Sequence, residues 1–368
     1  MKAKHISMSI TERCNLNCIY CFEKSKINKK MDFQTAIKLI DEEIMHSDEY
    51  DTITVDFMGG EPFLEFELIK KVCEYYWNRE TIKPVNFYTT TNGTLVHGDI
   101  KKWLEENHTR FTCALSLDGV KEAHDINRCN SFDKIDIEFF RTMWPKQKVK
   151  SIVSEKTLSM LNESVQYLHK LGFPNIEIKL AYGFDWTESW KSEVFIEQLE
   201  KLIEFYLIHP EYVPCTFLNL KINKVLDPVS KIEKWCHAGG KTVSYDMDGN
   251  KYPCRYFQDL RKASLLSLEQ MWEVNLTEIQ NSLQGVCRNC ILRNLCRTCY
   301  ALNFETNGHF GKKPLTSCKV TRDMAYMTAK LNKAKLEEKT NITCEEQDVV
   351  RACGVIFEAY NTNSWIVR

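Results

Sequence analysis

No apolar run in the sequence approaches the roughly 20 residues that a membrane-spanning helix needs, so no membrane role is expected. Residues Met1 to Ile10 interleave Lys2, Lys4 and His5 with short apolar stretches and hold no signal-peptide hydrophobic region. A cytoplasmic location is therefore expected. There is no basic excess either: 49 Lys+Arg stand against 50 Asp+Glu, a net charge of −1. Nucleic-acid binders displace counterions with surplus Lys and Arg, so no nucleic-acid partner is expected. Internal repeats and low-complexity stretches are absent too.

Present instead are a 43% apolar content, enough for a large core, and sixteen cysteines in 368 residues. Disulfides need an oxidising compartment, and nothing in the sequence directs the chain to one. Metal is the remaining explanation for so many thiols. Three cysteines lie within eight residues near the N-terminus, and seven more lie between Cys236 and Cys318.

The first half alternates strand-like with helix-like segments. Strands are predicted at His5–Ile10, Thr52–Phe57, Val85–Thr91, Thr112–Leu117, Val149–Val153 and Ile176–Ala181. Helices are predicted at Asp32–Ser47, Glu65–Trp77, Asp99–Asn107, Phe132–Met143, Thr157–Leu171 and Ser189–Ile208. Six such units imply a parallel sheet with outer helices. Periodicity does not choose between a partial barrel and a doubly wound sheet. His209–Pro214 ends this part, and Thr216 to Lys234 bridges to a cysteine-dense region. There, Asp248-Gly249 reads as a hairpin turn, Leu265–Trp272 as a short helix and Thr321–Lys339 as a charged amphipathic helix. Residues 340–368 read as a tail.

Cys14, Cys18 and Cys21 form a C-x3-C-x2-C pattern directly after the first strand. Loops at the carboxyl ends of parallel strands are where active sites gather. Thiolates are the usual ligands of 4Fe–4S clusters, and three of them leave one iron open to a substrate or cofactor. A structural zinc site would want four ligands and a closed shell. Gly59-Gly60-Glu61-Pro62 follows the second strand, Thr91-Asn92-Gly93-Thr94 the third and Ser116-Leu117-Asp118-Gly119 the fourth. Each alone is an ordinary β–α turn, but together they place polar groups at successive strand ends.

The three-cysteine loop after strand one, with Tyr20 before its third cysteine, resembles that of the radical S-adenosylmethionine (SAM) superfamily. The resemblance implies a partial (β/α)6 TIM-type barrel. It implies that Cys14, Cys18 and Cys21 hold a 4Fe–4S cluster whose open iron is chelated by SAM, which one electron cleaves to a 5′-deoxyadenosyl radical. It places Tyr20 near the adenine and Gly59, Gly60 and Glu61 at the SAM amino group. Asn92, Ser116 and Asp118 would line the cofactor, and Arg128 would pair with its carboxylate, as an arginine fork suits.

The later cysteines run C236-x12-G249-x4-C254, then C287-x2-C290-x5-C296-x2-C299, then C318. Zinc ribbons also use C-x2-C pairs, but seven cysteines do not divide into fours. The pattern is similar to the SPASM extension of radical SAM proteins, which carries two auxiliary 4Fe–4S clusters. This implies an α/β chain in which a small cysteine-rich SPASM domain follows the barrel, with a barrel at 1–214, bridge and SPASM at 215–330 and a helix and tail at 331–368. Three 4Fe–4S clusters are then expected. Cys287, Cys290, Cys296 and Cys318 would hold the distal auxiliary cluster, and Cys236, Cys254 and Cys299 the proximal one. The proximal set is one ligand short, so its fourth site would be open or filled by Cys215, Cys344 or Cys353. Cys73, Cys113 and Cys129 read as ordinary buried thiols.

Proteins of this type modify ribosomally made peptides or proteins. The resemblance therefore implies a peptide or protein substrate and an electron donor such as a flavodoxin or ferredoxin. Since the first cluster begins at Cys14, a leader would be bound by a separate leader-binding protein or by the SPASM region and tail. Size and motif order also resemble the anaerobic sulfatase-maturing enzymes, which make formylglycine. In those an aspartate, proposed as the base, follows the second SPASM cysteine. Here that position is Arg255, which stays protonated, with Asp259 the nearest carboxylate. Thioether formation, a carbon–carbon crosslink or epimerisation is thus expected ahead of formylglycine. A non-catalytic iron–sulfur electron carrier is the reading from a different class.

Overall fold

The computed structural model of the chain describes residues 2–23, 26–227, 236–277, 283, 285–337 and 339–366. Eight strands occur in chain order: β1 (Ala3–Thr11), β2 (Thr52–Gly59), β3 (Val85–Thr91), β4 (Phe111–Leu115), β5 (Val149–Val153), β6 (Ile176–Leu180), β7 (Thr242–Tyr245) and β8 (Lys251–Tyr252). The six predicted strands all form, within two residues at each end. The chain divides into two compact units. One comprises Met1–Leu117, His124–Lys150 and Cys236–Thr277; the other comprises Asp118–Ala123, Ser151–Trp235 and Glu278–Arg368.

The first unit holds a sheet in the order β4-β3-β2-β1-β7-β8, parallel except for β8. A bridge between Ser116 and Lys150 continues the pairing past β4. One face of the sheet carries Ile6, Met8, Val55, Phe57, Phe87 and Phe111, all at most 2% exposed. The rings of Phe57 and Phe87 stack at 5.8 Å, and Trp77 packs on Phe87 and Trp103 on Phe111 from the helices Phe66–Trp77 and Gly98–Asn107. Each such side chain contributes roughly 1.5–3 kcal/mol by leaving water. The predicted Asp248-Gly249 turn forms, with Gly249 at φ +83°, and its hairpin adds β7 beside β1.

Two helices start differently from their sequence reading. The predicted helix Phe132–Met143 breaks into a 3-10 turn (Phe132–Lys134) and a helix Ile137–Met143, because Asp136 caps the latter by accepting from the Phe139 N–H. Similarly, Glu155–Met160 is a 3-10 turn before the helix Leu161–Lys170.

The second unit contains the end of β5 from Ser151, all of β6, and the long helices Ser189–Ile208, Leu315–Glu337 and Cys344–Thr362. The expected tail is thus mostly helix. Thr343 caps it by accepting from the Glu346 N–H, while Glu346 accepts from the Thr343 N–H. Its face of Ala352, Cys353, Ile356 and Ala359 packs with Ala325, Ala329 and Trp365. Of the predicted bridging segment, Ile222–Leu226 is a 3-10 turn, and residues 228–235 lie outside the described residues. Among the described residues no helix is long and apolar enough to cross a membrane.

Candidate active site

The cysteine loop leaves β1 at Thr11 and returns beside it, where the Met31 N–H donates to the Ile10 carbonyl at 2.9 Å. Within the loop the Leu16 N–H donates to Cys14 Sγ at 3.4 Å, and the Cys21 N–H to the Cys18 carbonyl at 3.1 Å. The Ile19 N–H reaches the Asn127 carbonyl at 3.0 Å. Lys26 Nζ donates to the Leu16 carbonyl and to Asn17 Oδ1. None of the three cysteines is in a disulfide, and each is neither fully buried nor exposed. Burial pushes the Cys14 and Cys21 thiols up; Cys21 adds to the rise at Cys14, while the cations Lys26, Arg128 and Arg255 oppose the rise at Cys21. Such thiols bind metal with release of their protons.

The ends of β2 and β3 brace this loop. The Glu61 N–H donates to the Arg13 carbonyl at 2.8 Å. A Cβ on Gly59 would stand 2.2 Å from the Thr11 carbonyl oxygen, and one on Gly60 2.3 Å from that of Arg13. The two glycines are therefore required by the close approach of β2 to β1. The buried Glu61 carboxylate accepts from the Thr91 hydroxyl (2.7 Å), the Asn92 N–H (2.8 Å) and the Phe63 N–H (3.2 Å). Burial raises its pKa, and those donors oppose the rise. Glu61 thus ties β2 to β3. Asn92 donates from Nδ2 to Asn15 Oδ1 at 2.9 Å, and Asn15 Nδ2 donates to Thr94 Oγ1 at 2.7 Å, joining the β3 turn to the cysteine loop. Asn15 was not singled out in the sequence, although it sits inside the cysteine motif.

Arg128 is 7% exposed, with its guanidinium carbon 5.5 Å from the centre of the Tyr20 ring. The Ser116 N–H donates to the Thr91 carbonyl. In the second unit, buried Asp118 accepts from the Ile152 N–H at 3.0 Å. Gly119, at φ +105°, leaves no room for a side chain against Ser164. Cys73 and Cys113 are buried as expected. Cys129 is exposed, which corrects its reading as a buried thiol. It occupies a left-handed turn (φ +58°) just past Arg128, and its Sγ–H donates to the Asn17 carbonyl of the cysteine loop.

A second feature is a polar row across the other face of the sheet. Cross-strand register aligns Ser244, Ser7, Asp56, Tyr88 and Thr112. TIM barrels usually fill this side with branched apolar side chains, so the polar row sets this face apart from an ordinary packed barrel interior. Asp56 Oδ1 is sealed from solvent without a hydrogen-bond partner. Burial pushes its carboxyl up to about 7, against the pull of Lys150. Lys150 donates to Thr90 Oγ1 at 2.7 Å and lies 5.2 Å from the Tyr88 ring centre. An acid between Val55 and Phe57 was the available sequence signal, and it went unread.

In the second unit Cys287, Cys290, Cys296 and Cys318 line one pocket together with Lys313 and Arg322. Lys313 Nζ donates to Cys296 Sγ at 3.3 Å and to Thr321 Oγ1 at 2.6 Å. Burial raises the Cys290 and Cys318 thiols, and neighbouring cysteines add to the rise. Cys299 stands at the N-cap position of the helix Tyr300–Asn307. In the first unit, the segments of Cys236 and Cys254 meet where the Gly239 N–H donates to the Pro253 carbonyl at 2.9 Å. Cys215 is fully buried, and burial drives its thiol up to about 11. Cys353 sits in the helical core, and Cys344 is exposed in the first turn of its helix.

The Radical SAM superfamily model matches residues 8–190. An uncharacterised protein of Methanocaldococcus jannaschii is 32% identical over 222 residues, 57% of this chain and 73% of that protein. The radical SAM cyclopropyl synthase TigE of Paramaledivibacter caminithermalis is 24% identical over 324 residues, 80% of this chain and 66% of TigE. A cysteine-type anaerobic sulfatase-maturating enzyme of Clostridium perfringens is 23% identical over 324 residues, 77% of this chain and 85% of that enzyme. The solved structure of anSMEcpe with bound AdoMet and Cp18Cys peptide shares the fold, with a TM-score of 0.69 at 21% identity over 92% of this chain and 100% of that one.

The chain belongs to the radical SAM superfamily of enzymes. Membership implies SAM and a 4Fe–4S cluster, which together supply one-electron cleavage of SAM. Three half-buried thiols on one braced loop suit thiolate ligation of such a cluster, which Cys14, Cys18 and Cys21 would hold.

Proposed function

We propose that the chain modifies a ribosomally made peptide by a thioether link, a carbon–carbon link or epimerisation, with two auxiliary 4Fe–4S clusters besides the SAM-cleaving one. The observation that carries this reading is Arg255. It stands where the resemblance to sulfatase maturases puts a base, yet its guanidinium is buried in ion pairs to Glu23 and Asp259. Asp259, the nearest carboxylate, is itself occupied by that guanidinium at 3.0 Å. The polar row with Asp56 offers a peptide a wall of hydrogen-bonding groups in its place. The distal set is assigned to Cys287, Cys290, Cys296 and Cys318, and the proximal set to Cys236, Cys254 and Cys299. Tyr20, Gly59, Gly60, Glu61, Asn92, Ser116, Asp118 and Arg128 are assigned to the SAM site. Formylglycine formation is the second reading, favoured by likeness to the C. perfringens enzyme over 77% of the chain.

Mass spectrometry tests the proposal. A short Cys-containing peptide encoded beside this gene is incubated anaerobically with reconstituted enzyme, SAM and a reductant. Loss of two hydrogens with no free thiol left identifies a thioether, and loss with the thiol retained a carbon–carbon link. Unchanged mass with deuterium gained from heavy water identifies epimerisation. An unmodified peptide beside an aldehyde on a sulfatase-type peptide overturns the proposal.

A further inference from the structure

The helix Arg255–Lys262 begins immediately after Cys254, and its basic side chains reach the cysteine loop. Arg255 pairs with Glu23 and, from its other terminal nitrogen, with Asp259 at 3.0 Å. Two turns further on, Lys262 Nζ bonds Glu12 Oε1 at 2.6 Å and Glu23 Oε1 at 3.0 Å. Glu12 and Glu23 are 3% and 5% exposed. They flank Cys14 and Cys21 on either side, so two cations on one helix grip both ends of the loop. Phe22 adds a ring contact to Tyr256 at 5.2 Å. Two carboxylates this buried are stable only while paired. None of these four residues has a place in the SAM site assigned above.

We propose that Arg255 and Lys262 are positioning residues for the Cys14–Cys21 loop and couple its geometry to the segment that carries Cys254. The carboxylates at the loop's two ends are fixed relative to one rigid helix, so the thiols between them are held at a set spacing. Anything that displaces the Cys254 segment pulls on the loop. The inference rests on the family's cysteine loop and not on which peptide is modified.

Hydrogen exchange of the full chain, purified anaerobically with its iron, tests this without any substrate. In Arg255→Gln the Ile19 and Cys21 amides are expected to exchange at least tenfold faster, while the Val55 and Phe57 amides of β2 keep their rates. Arg255→Lys, which keeps one ion pair, is expected to fall between. The double variant Glu23→Gln with Arg255→Gln removes both buried charges. It is expected to recover global stability but not loop protection, and it carries the test if Arg255→Gln does not fold. Unchanged loop exchange, a uniform rise across the sheet, or loop protection restored in the double variant would each overturn the proposal.

Discussion

The two cysteine-bearing sites described here are built in opposite ways. The N-terminal loop offers three thiols, held from outside by the backbone of β2, by the Asn15–Asn92–Thr94 contacts and by ion pairs at both ends. The pocket of the second unit offers four thiols, with Lys313 donating directly to one of their sulfurs. Three ligands would leave a coordination position for a reacting molecule, whereas four would close the shell of the auxiliary cluster proposed there. The first site must therefore be braced by its surroundings, and the second carries its own enclosure.

The largest effect that separates them is expected from single cysteine replacements. Cys14→Ala should abolish formation of 5′-deoxyadenosine, a loss of at least about a thousandfold, since the ligand set is already minimal. Cys296→Ala should lose peptide conversion and part of the bound iron, yet keep SAM cleavage. Chromatography of the nucleoside and iron assay check both, and equal loss of SAM cleavage in the two variants would erase the distinction. Next comes the brace. Gly60→Ala places a methyl carbon 2.3 Å from the Arg13 carbonyl, so β2 must move from β1. A cost of about 3 kcal/mol or more is expected, with a visibly lower melting temperature and no stable iron in the loop.

Asp56→Asn is expected to act in two directions. Product formation should fall about a hundredfold if this side chain contacts the peptide. Stability should rise, and the sign follows from the raised carboxyl. In the folded chain Asp56 ionises only near pH 7, but in the unfolded chain it ionises near pH 4. Below pH 4 both states are protonated and the group is neutral to stability. Between these values the unfolded state gains by ionising first, so the penalty grows with pH and is complete above pH 7. The Asn variant escapes it, with a gain on the order of 2–4 kcal/mol at pH 8 and none at pH 4, measurable by urea titration at both pH values. The smallest effect is expected at Lys313→Gln. Removal of a cation from Cys296 should lower the reduction potential of the distal centre and leave SAM cleavage unchanged, as spectroelectrochemical titration would show.

Much of this site was legible in the sequence because its chemistry is local. The C-x3-C-x2-C spacing puts three ligands on one loop whatever surrounds it, and the strand ends carrying Glu61 and Asn92 were readable from alternation. Other parts depend on distance in space. Arg255 and Glu23 lie 232 residues apart, and no spacing rule links them. The polar row through Asp56 exists only once strand register is fixed. The hairpin's union with β1 likewise needed the fold, because a turn motif says nothing about which sheet it joins. By contrast, the C-terminal helix was readable and missed. Thr343 three residues before Glu346 is a capping signature, and Ala352, Ile356 and Ala359 follow at helical spacing.

The central claim is that Arg255 marks a peptide maturase of another outcome than formylglycine. Its most direct test presents the enzyme with the neighbouring Cys-containing peptide and a sulfatase-type peptide in one anaerobic incubation, reading both by mass spectrometry. The account predicts modification of the first, with 5′-deoxyadenosine formed alongside it, and no aldehyde on the second. An aldehyde on the sulfatase-type peptide, with the other unchanged, would contradict it.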